Sequence, residues 1–320
     1  MVGTARGLIG LALAGFVAGA PLAGRAEEPA SLTFTTLGTN SGPIPDADRF
    51  EPANLVRYGD DVVLVDVGDG AVDQLARAGV GIGDLDAVVI SHLHFDHTGG
   101  LFGLLSLRFQ SGYMGPLTLY GPPGTKATVD ALLAAIEPGR SAVATMRAKA
   151  TGEPDSGLTV VELAADSKIS IGAISITAAE NSHYDTLPEK ERPLSLSYRF
   201  DAPGRSILYT GDTGPSARVE TLCKGVDLLV SEIMDPKLAI AHIKLRRPDV
   251  PAFAWPVVES HFRKEHLSPE AVGKLATACG AKALVLTHIA LERDELAGAR
   301  VAIAKGYGGT MTFAEDLQTF

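Results

Sequence analysis

Residues 91–100 read Ser-His-Leu-His-Phe-Asp-His-Thr-Gly-Gly and directly follow the apolar run 87–90. Four potential metal ligands fall within six positions, at His92, His94, Asp96 and His97. A strand that ends in a glycine-bearing loop lets alternate side chains turn toward one point. Imidazole nitrogens and a carboxylate suit zinc or another first-row metal. The stretch therefore predicts a metal site at the end of a strand.

Short apolar runs bounded by Gly, Pro, Asp or Asn recur along the chain and predict strands. They cover residues 32–37, 62–67, 87–90, 117–120, 174–178, 194–200, 206–210, 228–231 and 283–287. Apolar residues at three-to-four spacing predict helices at 72–78, 125–136 and 268–278. Strands with interspersed helices favour an α/β fold, in which sheets pack together with helices outside. We expect one domain over residues 31–320.

The motif resembles the His-x-His-x-Asp-His signature of the metallo-β-lactamase superfamily. The resemblance extends over nearly the whole chain after the first 26 residues. Residues 37–39 resemble the family's opening loop, and residues 65–70 resemble its strand-turn, in which Asp66 is a structural anchor behind the metal loop. The resemblance implies an αβ/βα four-layer sandwich with the metals at one sheet edge.

Three later residues, each at the end of an apolar run, resemble the family's remaining ligands: His183, Asp212 and His288. A single histidine of this kind would be interpreted as a core residue with a satisfied ring, but the three come in the family's order. The resemblance implies two divalent metal ions, expected to be zinc. The first would take His92, His94, His183 and Asp212. The second would take Asp96, His97, Asp212 and His288.

Glu232 and His266 resemble an extra pair found in the ribonuclease Z-like branch and in related phosphodiesterases and arylsulfatases. The resemblance implies that His266 protonates the leaving group, oriented by Glu232. An imidazole can act as a general acid, and a carboxylate partner is expected to raise its pKa and fix its tautomer. The alternatives are a salt-bridged strand end for Glu232 and a helix-start residue for His266.

These features predict a dinuclear metal-dependent hydrolase of small esters, most simply a phosphodiester or an aryl sulfate. A metal-bridging hydroxide would be the nucleophile, and Asp96 would orient it as well as bind metal. Lactone, thioester or β-lactam hydrolysis stays open within the enzyme class. So does a non-catalytic metal-binding or regulatory role, which some superfamily members have.

Residues 1–26 have the layout of a secretory signal peptide, with Arg6 before an uncharged apolar stretch and small residues near Ala26. A membrane anchor is the alternative, but the apolar part is short for a bilayer and Pro21 interrupts it. We expect cleavage near Ala26, no stable membrane insertion afterwards, and a periplasmic or secreted protein.

The formal net charge of -10 argues against a nucleic-acid partner, because such partners need basic patches. The long basic arm with which ribonuclease Z holds tRNA is not evident, since residues 142–149 offer only Arg147 and Lys149 beside Arg140. We therefore expect a small-molecule ester substrate and no nucleic acid. A homo-oligomer is possible.

Residues 234–265 separate Glu232 from His266 and are too long for a turn and too apolar for a linker. We predict a lid over the metals, and the alternative is a packed surface excursion or an oligomer contact. Its aromatic residues would shape an apolar leaving-group pocket: Phe253, Trp255 and Phe262.

Four further side chains have no place in the predicted site. His242 and His261 are interpreted as surface or lid residues, because nothing near them supplies further ligands. Cys223 and Cys279 could form a disulfide, but we favour two buried thiols, since the sequence contains no distance.

Overall fold

Two mixed β-sheets form the middle of the protein, and the computed structural model describes residues 30–144 and 152–320. The predicted signal peptide and the residues Arg147 and Lys149 lie outside these ranges. The strands are β1 (Thr33–Gly38), β2 (Ala53–Tyr58), β3 (Asp61–Val67), β4 (Ala87–Val89), β5 (Leu117–Gly121), β6 (Leu158–Glu162), β7 (Lys168–Ile171), β8 (Ile174–Glu180), β9 (Leu196–Ala202), β10 (Arg205–Tyr209), β11 (Leu228–Met234), β12 (Ala283–Ala290), β13 (Thr310–Phe313) and β14 (Gln318–Thr319).

The helices lie between and after these strands. They are α1 (Ala71–Arg77), α2 (Phe95–Thr98), α3 (Leu101–Ser111), α4 (Thr125–Ala144), α5 (Ala217–Leu222), α6 (Pro236–Arg246), α7 (Trp255–Lys264), α8 (Pro269–Cys279) and α9 (Leu296–Ala304). Short 3₁₀ turns occupy Ile82–Asp84, Glu189–Glu191 and Ala252–Ala254. Within residues 30–144 and 152–320, no helix is long and apolar enough to cross a bilayer.

Each sheet has seven strands and a parallel half. The first runs β14-β1-β2-β3-β4-β5-β6 and is parallel from β3 to β6. The second runs β13-β12-β11-β10-β9-β8-β7 and is parallel from β10 to β13. Parallel strands end at a common edge, where ligands bind in open α/β sheets. The two sheets therefore offer strand ends from which a site can be built.

Apolar side chains that alternate between the two faces of the strands form three apolar layers. In β3, Val63 and Val65 pack toward the second sheet, whereas Val62 and Leu64 pack against α1 and α3. Successive side chains of a strand point to opposite faces, so both faces of β3 are buried. A third apolar layer joins the second sheet to α5, α8 and α9. Helices, sheet, sheet and helices make the αβ/βα four-layer sandwich, which confirms the predicted fold.

Cys223 and Cys279 form a disulfide, with their Cα atoms 5.0 Å apart, so the expectation of two buried thiols is wrong. Cys223 follows α5 and Cys279 ends α8. Both helices pack on the same face of the second sheet, and this packing brings the two side chains within bridging reach.

The predicted lid, residues 234–265, is mostly helical and contains α6 and α7. Of its aromatic residues, Phe253 is exposed and Trp255 lies under the ammonium of Lys244, 4.9 Å from its ring centroid. Phe262 is the one that lines a cavity of about 360 Å³ between the lid and the loop of residues 40–49.

Candidate metal centre

The predicted ligands gather at one edge of the sandwich, where strands from both sheets end. His92 and His94 follow β4, His183 follows β8, and Asp212 follows β10. His288 lies near the end of β12. Each side chain is thus placed by a strand packed in the core, and the arrangement does not depend on the course of a surface loop.

The seven predicted ligands form two clusters that share Asp212. The first comprises His92, His94, His183 and Asp212, and the second comprises Asp96, His97, Asp212 and His288. Within each cluster the ligand atoms lie within 4.8 Å of one another. His94 Nδ1 is 3.2 Å from His183 Nε2. Asp212 Oδ1 is 3.2 Å from His288 Nε2 and 3.4 Å from His97 Nε2.

Several polar atoms at the centre of these clusters have no hydrogen-bond partner among the described residues. They are Nε2 of His92, His97 and His288 and Oδ1 of Asp212. Buried polar atoms are nearly always paired, so such a group points to a missing partner. Imidazole nitrogens and carboxylate oxygens at this spacing fit divalent metal ions. The residues present therefore fit the metal use that the motif predicts.

Charge in the first cluster is consistent with that fit. Burial lowers the pKa of His183 to about 3 and that of His92 well below its usual value, so both rings are neutral and able to ligate. Burial alone would raise the pKa of Asp212, but His288 and His97 hold it well below its usual range. Asp212 is thus an anion available to both clusters.

Asp66 anchors the metal loop from behind. Its carboxylate accepts hydrogen bonds from the Ser91 backbone N–H (2.7 Å), the Ser91 hydroxyl (2.8 Å) and the Tyr209 hydroxyl (2.8 Å). It also lies 2.9 Å from His97 Nδ1, which leaves Nε2 to face the cluster. Such a partner fixes the tautomer and orientation of a ligand ring. Asp66 has a left-handed φ of 58°, which aspartate tolerates better than most residues.

An irregularity between β11 and β12 aims two site residues at this edge. Ser231 pairs with Leu286, but Ile233 pairs with Ile289, so Glu232 lies opposite two residues of β12. One of the two is His288, whose φ is 47°. A β-bulge bends its strand and redirects side chains, and bulges are frequent next to active sites. Here it turns Glu232 and His288 toward the same space.

Glu232 and His266 form a buried pair beside both clusters. His266 Nδ1 lies 2.7 Å from Glu232 Oε2, and the Thr213 N–H donates to Glu232 Oε1 at 2.5 Å. The ring centroid of His266 is 5.1 Å from that of His183 and 6.1 Å from that of His288. The sequence-predicted pair is thus adjacent to each group of ligands.

The expectation that the carboxylate raises the pKa of His266 is wrong. Burial lowers the pKa of His266 to about 4, and burial with the nearby charge of Asp212 raises the pKa of Glu232 well above its usual value. The cost of burying a charged His266 or a charged Glu232 away from water exceeds the attraction between the two side chains. Because Nδ1 of His266 faces Glu232, Nε2 is the ring nitrogen left to face the site.

His261 also lies at the site. From the sequence it was interpreted only as a surface or lid residue. It lies in α7, with its ring centroid 5.3 Å from that of His266 and 6.0 Å from that of His183. Its Nδ1 is 2.5 Å from Glu265 Oε2. The signal that could have found it is the four-residue spacing of His261 and Glu265 on a helix directly before His266. His242, by contrast, pairs with Glu295 at 3.1 Å.

Two mixed sheets between helices, with adjoining His and Asp clusters at one edge, define a hydrolase of the metallo-β-lactamase type. A family profile described as "Beta-lactamase superfamily domain" matches residues 61–289, and the chain belongs to this superfamily, in its ribonuclease Z-like branch. It is 30% identical over 294 residues to ribonuclease Z of Mycobacterium marinum, which covers 89% of this chain and 97% of that relative. Ribonuclease Z of Mycobacterium avium is 30% identical over 291 residues, which covers 89% and 96%.

Solved structures show the same fold. The metallo-beta-lactamase fold protein YhfI from Bacillus subtilis matches with a TM-score of 0.64 and 20% identity, over 90% of this chain and 98% of that one. The short form of human tRNase Z matches with a TM-score of 0.61 and 22% identity, over the same shares of 90% and 98%.

The expectation of a small-molecule ester substrate without nucleic acid is contradicted by these relatives, which are ribonucleases by name and match over most of their length. The argument from net charge fails for a physical reason. Net charge describes the whole surface, whereas nucleic-acid binding depends on where the cations lie around one site.

Proposed function

We propose that this protein hydrolyses phosphodiester bonds of RNA and that it does so with two divalent metal ions, zinc in the first place. One observation carries the proposal. A buried imidazole–carboxylate pair lies directly beside two ligand clusters that share one carboxylate. Such a set can hold a phosphodiester and supply a proton to its leaving oxygen. The similarity to ribonuclease Z supports RNA as the substrate class.

The two carboxylates of the clusters, Asp212 and Asp96, have different roles in the proposed reaction. Two ions bound in the clusters would neutralise phosphate charge and lower the pKa of a shared water to about 7. Asp212, common to both clusters, sets how far apart they lie. Asp96 is the less buried of the two carboxylates, 9% exposed against 2% for Asp212. It accepts a hydrogen bond from the attacking water and orients it toward phosphorus.

His266 acts on the other side of the phosphate. Its Nε2–H donates to the leaving oxygen as the bond to phosphorus breaks, and Glu232 returns a proton through Nδ1. A positioned general acid of this kind contributes about 10²- to 10⁴-fold to the rate. The Thr213 N–H holds the second oxygen of Glu232, so the pair keeps its orientation toward the loop that carries Asp212.

The lid supplies cations in an otherwise acidic chain. Residues 234–265 contain six Lys and Arg against four Asp and Glu. Arg263 and Lys264 are exposed, and neither forms an ion pair within the described ranges. They directly follow the site-facing part of α7. Unpaired cations beside a phosphodiester site supply the electrostatic attraction on which RNA binding depends.

We also propose that the protein works in an oxidising compartment, outside the cytoplasm. The Cys223–Cys279 disulfide supports this location, because such bonds persist chiefly in oxidising surroundings. The signal-like residues 1–26 support it as well. Cell fractionation with N-terminal sequencing of the recovered protein tests it. A cytoplasmic protein with an intact N-terminus and reduced cysteines would contradict it.

The test of function uses zinc-loaded protein and two kinds of substrate. One is a 5′-labelled RNA hairpin with a single-stranded 3′ tail, and the other is bis(p-nitrophenyl) phosphate as a chemical probe. We expect cleavage of both by the wild type and of neither by Asp212→Ala. Turnover of the probe without cleavage of any RNA would exclude RNA as the substrate. Turnover of neither by protein that holds two metals would exclude phosphodiester hydrolysis.

A further inference from the structure

We propose that His261 and Glu265 form a second imidazole–carboxylate dyad, and that His261 donates a hydrogen bond to a non-bridging oxygen of the scissile phosphate. His261 would then be a catalytic residue carried by the lid. The inference rests on the proposed phosphodiester chemistry, and it deepens that proposal by giving the lid a part in the reaction.

The geometry repeats that of the Glu232–His266 pair. In both dyads Nδ1 of the imidazole faces a carboxylate oxygen, at 2.5 Å for Glu265 and at 2.7 Å for Glu232. The two imidazole rings meet edge to face, with centroids 5.3 Å apart and planes at 87°. In each ring Nδ1 is occupied, so Nε2 is the nitrogen left for a ligand.

The position of His261 is tied to the ligand clusters through the backbone. The Glu265 carbonyl oxygen lies 3.0 Å from Nδ1 of His183, a member of the first cluster. Gly214, two residues after Asp212, lies so close to the Lys264 carbonyl that a Cβ there would collide with it. The end of α7 is therefore docked on two segments that carry ligands, and His261 keeps its place beside them.

Burial determines which nitrogen this dyad presents to a substrate. The Glu265 side chain is 5% exposed, so Nδ1 of His261 faces a carboxylate that is closed off from solvent. Nε2 lies on the opposite side of the ring from that carboxylate. An anionic oxygen that contacts this ring would therefore accept its hydrogen bond from Nε2.

Exposure separates the roles of the two histidines. The side chain of His261 is 36% exposed, whereas that of His266 is 5% exposed. His261 can therefore be reached from the solvent side by the phosphate of a long substrate, while His266 faces the enclosed side. Donors aimed at charge that grows in the transition state each contribute about 10²- to 10³-fold to kcat.

The lid offers a matched control in His242. It is also a histidine of this segment, and it pairs with Glu295 at 3.1 Å. Its side chain is 28% exposed, close to the value for His261. Within the described part of the chain its ring contacts none of the ligand histidines. His242→Ala removes the same chemical group from the lid without touching the proposed contact.

The experiment compares His261→Ala, His261→Gln and His242→Ala with the wild type, all loaded with zinc. It measures kcat and KM on RNA and on bis(p-nitrophenyl) phosphate, bound metal per chain, and the Kd of inorganic phosphate by calorimetry. We expect His261→Ala to lower kcat about 10²-fold and to weaken phosphate binding about 10-fold. Metal content should stay unchanged. Glutamine, which keeps a donor near the position of Nε2, should restore part of both losses.

Two results would overturn the inference. One is a phosphate Kd and a kcat for His261→Ala within twofold of those for His242→Ala. The other is a loss of activity that follows a loss of bound metal, which a purely structural role would give. Failure of the proposed RNA chemistry looks different. A wild type that cleaves no RNA but binds phosphate more tightly than His261→Ala would remove the RNA substrate and leave the His261 contact standing.

Discussion

The ligand clusters and the lid are two regions that the chain builds in different ways. The clusters lie at strand ends of both sheets, and their side chains are held by buried partners such as Asp66. The lid consists of half-exposed helices and is docked at the end of α7. The difference separates two tasks. In the proposed function the rigid sheet edge would hold the ions and the proton donor, and the helical insert would control what approaches them.

Asp212→Ala is expected to have the largest effect, because it removes a ligand of both clusters at once. Activity should fall about 10³-fold or more, with fewer than two metals per chain by elemental analysis. The matched control is Asp249→Ala, an exposed acidic residue of the lid that pairs with Arg247. An Asp212→Ala protein that keeps two metals per chain and a tenth of the wild-type activity would show that the clusters do not depend on Asp212.

His266→Ala should come next, since it removes the proposed proton donor but no ligand. We expect kcat on RNA to fall about 10²- to 10³-fold with metal content unchanged. The loss should be smaller on bis(p-nitrophenyl) phosphate, whose leaving group departs without protonation. An equal loss on both substrates would rule out the role of His266 as general acid.

Asp66→Asn tests whether the ligand clusters depend on the hydrogen bonds that Asp66 makes behind them. It disturbs the partner of His97 Nδ1, and metal affinity should fall about 10- to 100-fold in a chelator competition. Asp227→Asn is a close control, because Asp227 also accepts from the N–H (2.8 Å) and hydroxyl (3.0 Å) of one serine, Ser206. An equal drop in metal affinity in both variants would show that the protein is generally destabilised. Asp66 would then give the metal ligands no specific support.

The smallest effect is expected in the lid, from Arg263→Ala combined with Lys264→Ala. Losing two phosphate contacts should weaken RNA binding several-fold and lower the slope of log K against log salt by about 1.4. The kcat on bis(p-nitrophenyl) phosphate should not change. Lys126→Ala, on α4 and paired with Asp130, is the control. An unchanged salt slope would mean that these cations do not contact RNA.

Four ligand positions could be predicted locally, because His92, His94, Asp96 and His97 form a dense cluster just after an apolar run. The resemblance to the superfamily implied the other three, His183, Asp212 and His288. Strands β2, β6, β7, β13 and β14 were not predicted, because charged or polar residues interrupt their apolar pattern. In β7, Lys168–Ile171, exposed and half-buried residues alternate, which leaves a weak apolar signal. Such strands form because a neighbouring strand pairs with them, and a local pattern does not contain that information.

The lid helices were missed for a different reason. The segment contains four prolines, which interrupt a helical pattern, but Pro236 and Pro256 lie in the first turns of α6 and α7, where proline is tolerated. The disulfide and the place of His261 depend on distances between elements far apart in sequence. No spacing along the chain determines those distances, so they required the structure.

The disulfide has a consequence for the fate of a nicked chain. Its cysteines are 56 residues apart, and the segment between them contains Glu232, the whole lid and His266. A protease that cuts an exposed lid peptide bond, near Phe253 for instance, leaves two fragments that the bridge still joins. The nicked protein would run as one band without a reducing agent and as two bands with it. His261 and His266, the two imidazoles with proposed catalytic roles, would stay attached to the fold that aligns them.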